Sequence, residues 1–269
     1  MGRPINRMLH TTLLRAPVRR AIYHFISQTL PRVQRYRIYL VMYGGLGLSL
    51  IIATVLRLRV WHGQVRMEIS PDGLRAAIPM TVFWTIAGLR MAFVSPTDPR
   101  GRWIFQTIQG RPQLEQLTAA KTWVLIWSVI ASLAVVAALH MLAAPELRGW
   151  KITAGQVLVA TGLCLLLTDA FFLNVKILPF TGVKALVRTN LAIVLLKYVA
   201  AFVPAVVIVV KLGPWIESSV GHLAISALAI ASVHFTLRVV HRKILTDHLQ
   251  VPDLDEDQQQ FFQTLGLRY

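Results

Sequence analysis

Six apolar stretches, each about as long as a bilayer is thick, recur along the chain at 38–56, 76–94, 123–143, 153–173, 190–210 and 220–240. An α-helix rises about 1.5 Å per residue, so about 20 residues cross a hydrocarbon layer of about 30 Å. Lipid offers no hydrogen bonds, and a spanning segment must satisfy its backbone internally. The fold class expected is therefore all-α: an integral membrane helical bundle with six transmembrane helices, preceded by a basic amphipathic N-terminal helix. Three regions follow from this pattern. They are a basic cytoplasmic or interfacial segment at 1–37, the transmembrane domain at 38–240, and an acidic cytoplasmic tail at 241–269.

Charge supports that class and sets an orientation. Charged residues make up 15% of the 269 positions and hydrophobic ones 55%, whereas a soluble domain carries about a quarter charged residues. Six spans and short loops use nearly the whole chain, which leaves no room for a soluble domain of ordinary size. The net charge of +16 would suggest nucleic acid in a soluble protein. Here the basic residues flank apolar spans, so anionic headgroups are the expected partner and nucleic acid is not. With both termini inside, nineteen Lys and Arg fall on the cytoplasmic side and seven outside. That bias places the protein in a cell (inner) membrane with the N-terminus and C-terminus cytoplasmic. The loop 57–75 fits least well, because Arg57, Arg59, Arg66 and Arg75 all lie in it.

The first 37 residues hold eight arginines and no acidic residue. No compact apolar run with a small-residue cleavage site follows Met1, so no secretory signal peptide is expected. Pro17 opens and Pro31 closes a helical stretch in which Val18, Ala21, Ile22, Phe25, Ile26 and Leu30 share one face. Arg19, Arg20, His24, Ser27 and Gln28 occupy the other, which suits a helix lying along the inner membrane surface. A docking helix for a cytoplasmic partner and an organellar transit peptide are the alternatives.

Within the spans, Gly44, Gly45, Gly47 and Ser49 permit close helix contact, while Pro79 and Pro204 would interrupt the helical ladder. Most of the seven tryptophans fall near predicted span ends and read as interfacial anchors. Cys164, the single cysteine, lies inside the fourth span and excludes an intrachain disulfide.

Ionisable residues inside spans carry the functional expectation. Asp169 is the one acidic residue in a span interior, and Arg90 and Lys197 are the basic residues away from an edge. The charge-derived topology places all three in the cytoplasmic half of the bilayer. Isolated charges there cost a few kcal/mol each. One reading is an intramembrane polar cluster of Asp169, Lys197 and Arg90 that lines a substrate or ion path. In the other, Arg90 and Lys197 reach the headgroups and Asp169, near its span's end, is solvated. His140 and His222 fall at similar outer depth, which raises haem ligation against ordinary polar packing. His234, Arg238 and His241 share a helix face that reads as a headgroup-facing rim or a pH sensor.

No Walker loop, nucleophile elbow, H-E-x-x-H or metal-spaced Cys/His cluster is present. No catalytic residue, metal or cofactor is therefore expected, and the chain is read as non-enzymatic. Ser70-Pro71-Asp72-Gly73 reads as a turn, with Gly73 supplying the unusual backbone angle. Residues 102–109 form a short amphipathic piece suited to the inner surface or to a partner. The tail after Lys243 turns acidic at Asp247, Asp253, Asp255, Glu256 and Asp257 and reads as mostly flexible.

Three stretches carry a family resemblance: 13–47 (LLRAPVRRAIYHFISQTLPRVQRYRIYLVMYGGLG), 176–180 (KILPF) and 263–267 (QTLGL). The chain resembles a group of uncharacterised bacterial multi-pass membrane proteins, in which this pattern forms the C-terminal part of longer members. The resemblance implies a piece or a short member of that group and carries over no functional residue. The function expected is a permease-like transport or export component without its own ATPase. The alternative is a non-enzymatic membrane scaffold that binds a cytoplasmic or membrane protein partner.

Overall fold

The computed structural model describes residues 16–61, 64–94, 114–142, 149–173, 180 and 191–249, without side chains at 58–67, 94, 114, 142, 191–199, 201 and 245–249. Its helices are α1 (Pro17–Arg32), α2 (Gln34–Val55), α3 (Pro71–Val94), α4 (Leu114–Leu142), α5 (Trp150–Phe171), α6 (Leu191–Ser218) and α7 (Val220–Leu249). An antiparallel hairpin of β1 (Leu56–Trp61) and β2 (Gln64–Ile69) joins α2 to α3, with Leu56 opposite Ile69 and Trp61 opposite Gln64. The described chain is thus helical apart from this hairpin. Among the described residues, five helices (α2, α3, α4, α5 and α7) are long and apolar enough to cross a membrane.

α1 begins at Pro17, whose missing N–H costs nothing in a first turn. It continues through Pro31 to Arg32, and the one extended residue Val33 separates it from α2. Its buried side chains are Ile22, Tyr23, Ile26 and Leu30, which pack in one cluster with Ala119, Ala120 and Trp123 of α4. Trp123 Nε1 donates a 2.8 Å hydrogen bond to Ser27 Oγ, and Ser27 donates to the Tyr23 carbonyl. The bundle's own α4 therefore takes much of the apolar face expected to meet lipid.

α3 is the central helix. Most of its apolar length is buried, and it packs against α2, α4, α5 and α6. Glycines let α2 approach it: a Cβ on Gly47 would lie 2.9 Å from Trp84 Cβ, and one on Gly88 would lie 2.9 Å from Tyr43 Cβ. At Gly44 and Gly45 the space is open, so of the first span's three glycines only Gly47 serves this contact. Trp84 and Trp123 are buried within the bundle, which corrects their reading as interfacial anchors. Trp150 and Trp215 are exposed.

Ser70 caps α3. Its Oγ accepts from the Gly73 N–H at 3.2 Å, with Pro71 in the first turn. The expected turn at 70–73 is thus a helix start. Gly73 is needed for space and not for an unusual angle, because an added Cβ would lie 2.2 Å from the Thr54 carbonyl oxygen. α7 runs past the predicted span end at Val240 to Leu249. None of its membrane-length window is buried, and it packs mainly on α5 and α6. The amphipathic piece at 102–109 and the tail from 250 lie outside the described residues.

Candidate functional site

Asp169 sits in the last turn of α5, where a helix presents unpaired carbonyls and a partial negative charge. A carboxylate there, largely buried, needs donors from elsewhere. α4 and α7 supply them: Lys121 Nζ lies 3.4 Å from Asp169 Oδ1, and His234 Nδ1 lies 2.5 Å from Oδ2. All three side chains are mostly buried, with exposures of 17% for Lys121, 12% for Asp169 and 29% for His234. Each comes from a different helix, so the cluster exists only when α4, α5 and α7 are packed together. Beside Asp169, the buried Thr168 Oγ1 has no hydrogen-bond partner among the described residues.

Further along α7, the buried His241 places Nδ1 2.8 Å from the Leu173 carbonyl oxygen. His234 and His241 therefore both face α5, which corrects their reading as a headgroup-facing rim. Arg238 lies between them in sequence and is exposed.

Of the residues singled out from sequence, Asp169 is central to this cluster. Arg90 stands with its guanidinium carbon 5.3 Å from the centroid of the Phe172 ring, so it meets α5 about one turn beyond Asp169. Lys197 lies in α6, and its side chain is outside the described residues. Sequence reasoning missed Lys121 and His234 as partners of Asp169. The apolar run of the third span starts at residue 123, just after Lys121, although α4 begins at Leu114. The spacing of His234 relates it only to neighbours on its own helix.

A second ion pair stands at the hairpin end of the bundle. Arg75 Nη2 of α3 lies 2.9 Å from Glu217 Oε2 of α6, and Arg75 also lies 3.7 Å from Asp72. The Glu217 side chain is 8% exposed, and Arg75 is the cation that meets it. Gly155 of α5 admits it closely, since a Cβ there would lie 3.0 Å from Glu217 Cγ. Glu217 was missed because α6 outlasts the apolar stretch that marked its span.

The two outer histidines have separate partners. His140 Nε2 is 2.7 Å from Thr153 Oγ1, while His222 stacks on Trp215 with centroids 4.1 Å apart. No group of three or more His, Cys, Asp or Glu among the described residues could hold a metal ion. Cys164 is buried, with Sγ 3.5 Å from Ser132 Oγ.

No family model, curated protein or solved structure matches the chain.

Proposed function

We propose that the protein is a permease-like component of a bacterial inner membrane, working in transport or export without an ATPase of its own. In this reading α6 is also a span, the fifth of six, both termini are cytoplasmic, and the chain belongs with the multi-pass proteins its sequence resembles. The observation that carries it is Asp169 held by Lys121 and His234 between three helices of an apolar bundle. Ionised groups at membrane depth are costly and mark substrate or ion pathways. Apolar side chains would join α4, α5 and α7 at lower cost, so a purely structural role leaves the charges unaccounted for. Anionic headgroups are the expected surroundings of α1, and the energy source or a further subunit would come from a separate protein. No enzymatic role is proposed.

Secretion profiling tests this. Small solutes in the spent medium are compared for cells with the wild-type chain, cells with Asp169→Asn at equal membrane abundance, and cells lacking the protein. A solute released by wild type and reduced at least about tenfold by Asp169→Asn supports transport. Indistinguishable media in all three would leave the scaffold reading, in which the chain binds a protein partner.

A further inference from the structure

The donors around Asp169 say which small cation the site accommodates. Both carboxylate oxygens are occupied by nitrogen donors, Lys121 Nζ on Oδ1 and His234 Nδ1 on Oδ2. A sodium ion would need those same oxygens and would have to sit against an ammonium group. Alkali and alkaline-earth ions require several hard oxygen ligands, and the Lys121 ammonium on Oδ1 repels them. A proton has no such requirement.

The hydrogen-bond geometry also fixes where a proton can go. With Asp169 ionised and His234 neutral, Nδ1 donates to the carboxylate and Nε2 carries the lone pair. His241 stands the same way, because the Leu173 carbonyl can only accept and Nδ1 must donate to it. The two imidazoles face α5 from one side of α7, seven residues or about 10 Å apart along the axis. α7 packs on α5 and α6. The charged groups around His234 at this end are Asp169 from α5, Lys121 from α4, and Arg238 and His241 on α7 itself. Arg90 of α3 stands over Phe172, and the side chain of Lys197 on α6 lies outside the described residues.

We propose that this cluster is a proton-binding site, with His234 as the group that takes up and releases the proton at Nε2. On uptake the Nε2 lone pair forms an N–H bond as an O–H bond of hydronium breaks. The positive charge of the imidazolium then faces the Asp169 carboxylate, and release to water reverses the step. Asp169 is a positioning residue that holds the tautomer and balances the charge. Lys121 pairs with the other oxygen of Asp169. His241 is the next acceptor toward the C-terminal end of α7. The inference rests on the transport reading for its purpose, since it names the ion coupled to transport.

The test is nuclear magnetic resonance of the full chain in lipid nanodiscs, with isotope-labelled histidine rings. His234→Gln identifies the His234 signal. Should that variant not fold, magnetisation transfer from labelled aspartate carboxyls identifies it through the Asp169 contact. The signal is expected to pass reversibly from an Nδ1–H imidazole to an imidazolium as the sample is acidified. In Asp169→Asn the neutral form becomes a mixture of both tautomers. Replacing potassium chloride by sodium chloride at equal ionic strength leaves the signal unmoved. A His234 signal unchanged by acidification, a neutral form protonated on Nε2, or displacement by sodium overturns the proposal. Failure of transport reads differently: unchanged media with a titrating His234 retain the proton site and reject transport. Altered media with a constant His234 signal reject the proton site alone.

Discussion

Gly73 shows how a single hydrogen atom in place of a side chain sets the approach of two helices. Its missing Cβ would stand 2.2 Å from the Thr54 carbonyl oxygen and 2.8 Å from Val55 Cα, both backbone atoms that cannot rotate away. Gly73→Ala is therefore expected to lower stability by about 1–3 kcal/mol, read by chemical unfolding in detergent. Gly44→Ala, in open space on an exposed helix face, is expected to be neutral or to stabilise by up to about 1 kcal/mol. Equal effects at the two positions would show that helix propensity, not the α2–α3 contact, governs. Phe180 makes a related point. It holds a left-handed backbone at φ 69°, unusual for a residue with a Cβ. Its N–H donates to the Phe93 carbonyl at 2.8 Å, and its ring packs against Tyr36 and Phe93. The packing of that ring offsets the backbone strain.

Among the elements, α1 and α7 stand at opposite extremes of attachment. α1 is short and basic, yet it buries four side chains and is pinned by the hydrogen bond from Trp123 to Ser27. Ser27→Ala leaves the buried indole N–H without that acceptor, at a cost of about 1 kcal/mol. The expected result is earlier proteolysis after the arginines of α1, with the rest of the bundle protected. Unchanged cleavage would mean that apolar contact alone holds the helix. α7 has an outward face of Leu228, Phe235 and Val239, which is exposed in the isolated chain and matches a lipid-facing surface. Its polar attachments to α5 are His234 on Asp169 and His241 on Leu173. The pairing that defines the candidate site is thus also part of what fastens the least buried helix.

At the scale of the whole molecule, two ion pairs stand at opposite ends of the bundle. Lys121–Asp169–His234 joins α4, α5 and α7, while Arg75–Glu217 joins α3 and α6. Neither pair can form between neighbours in sequence, so each reports on tertiary assembly. A double-mutant cycle of Arg75→Met and Glu217→Gln is expected to give a coupling of about 1–3 kcal/mol in detergent unfolding, because each single change strands a buried charge. Strictly additive losses would show that the pair is solvated and contributes no coupling.

Much of the helical layout was legible in the sequence, because bilayer-length apolar runs leave few alternatives to helices. Apolar length also misplaced helix ends. α4 begins before its apolar run with Lys121 already inside, and α6 carries Glu217 beyond the end of its own. Hydropathy marks where lipid is tolerated, whereas helices continue as long as their backbone bonds are made. Of the candidate site, Asp169 was visible because an acidic residue in an apolar span stands out against its surroundings. Its observed partners were not, since a helix face carries no label for the helix that will meet it.

By itself the sequence determined a helical protein with several membrane-length segments and one buried carboxylate requiring compensation. The cause is local, in the cost of placing charges and unpaired backbone groups in an apolar medium. Tertiary structure alone decided that Lys121 and His234 meet Asp169, that Glu217 meets Arg75, and that Trp84 lies in the core. Those outcomes depend on how helices distant in sequence pack, and small residues such as Gly47, Gly73 and Gly88 set how closely they do so.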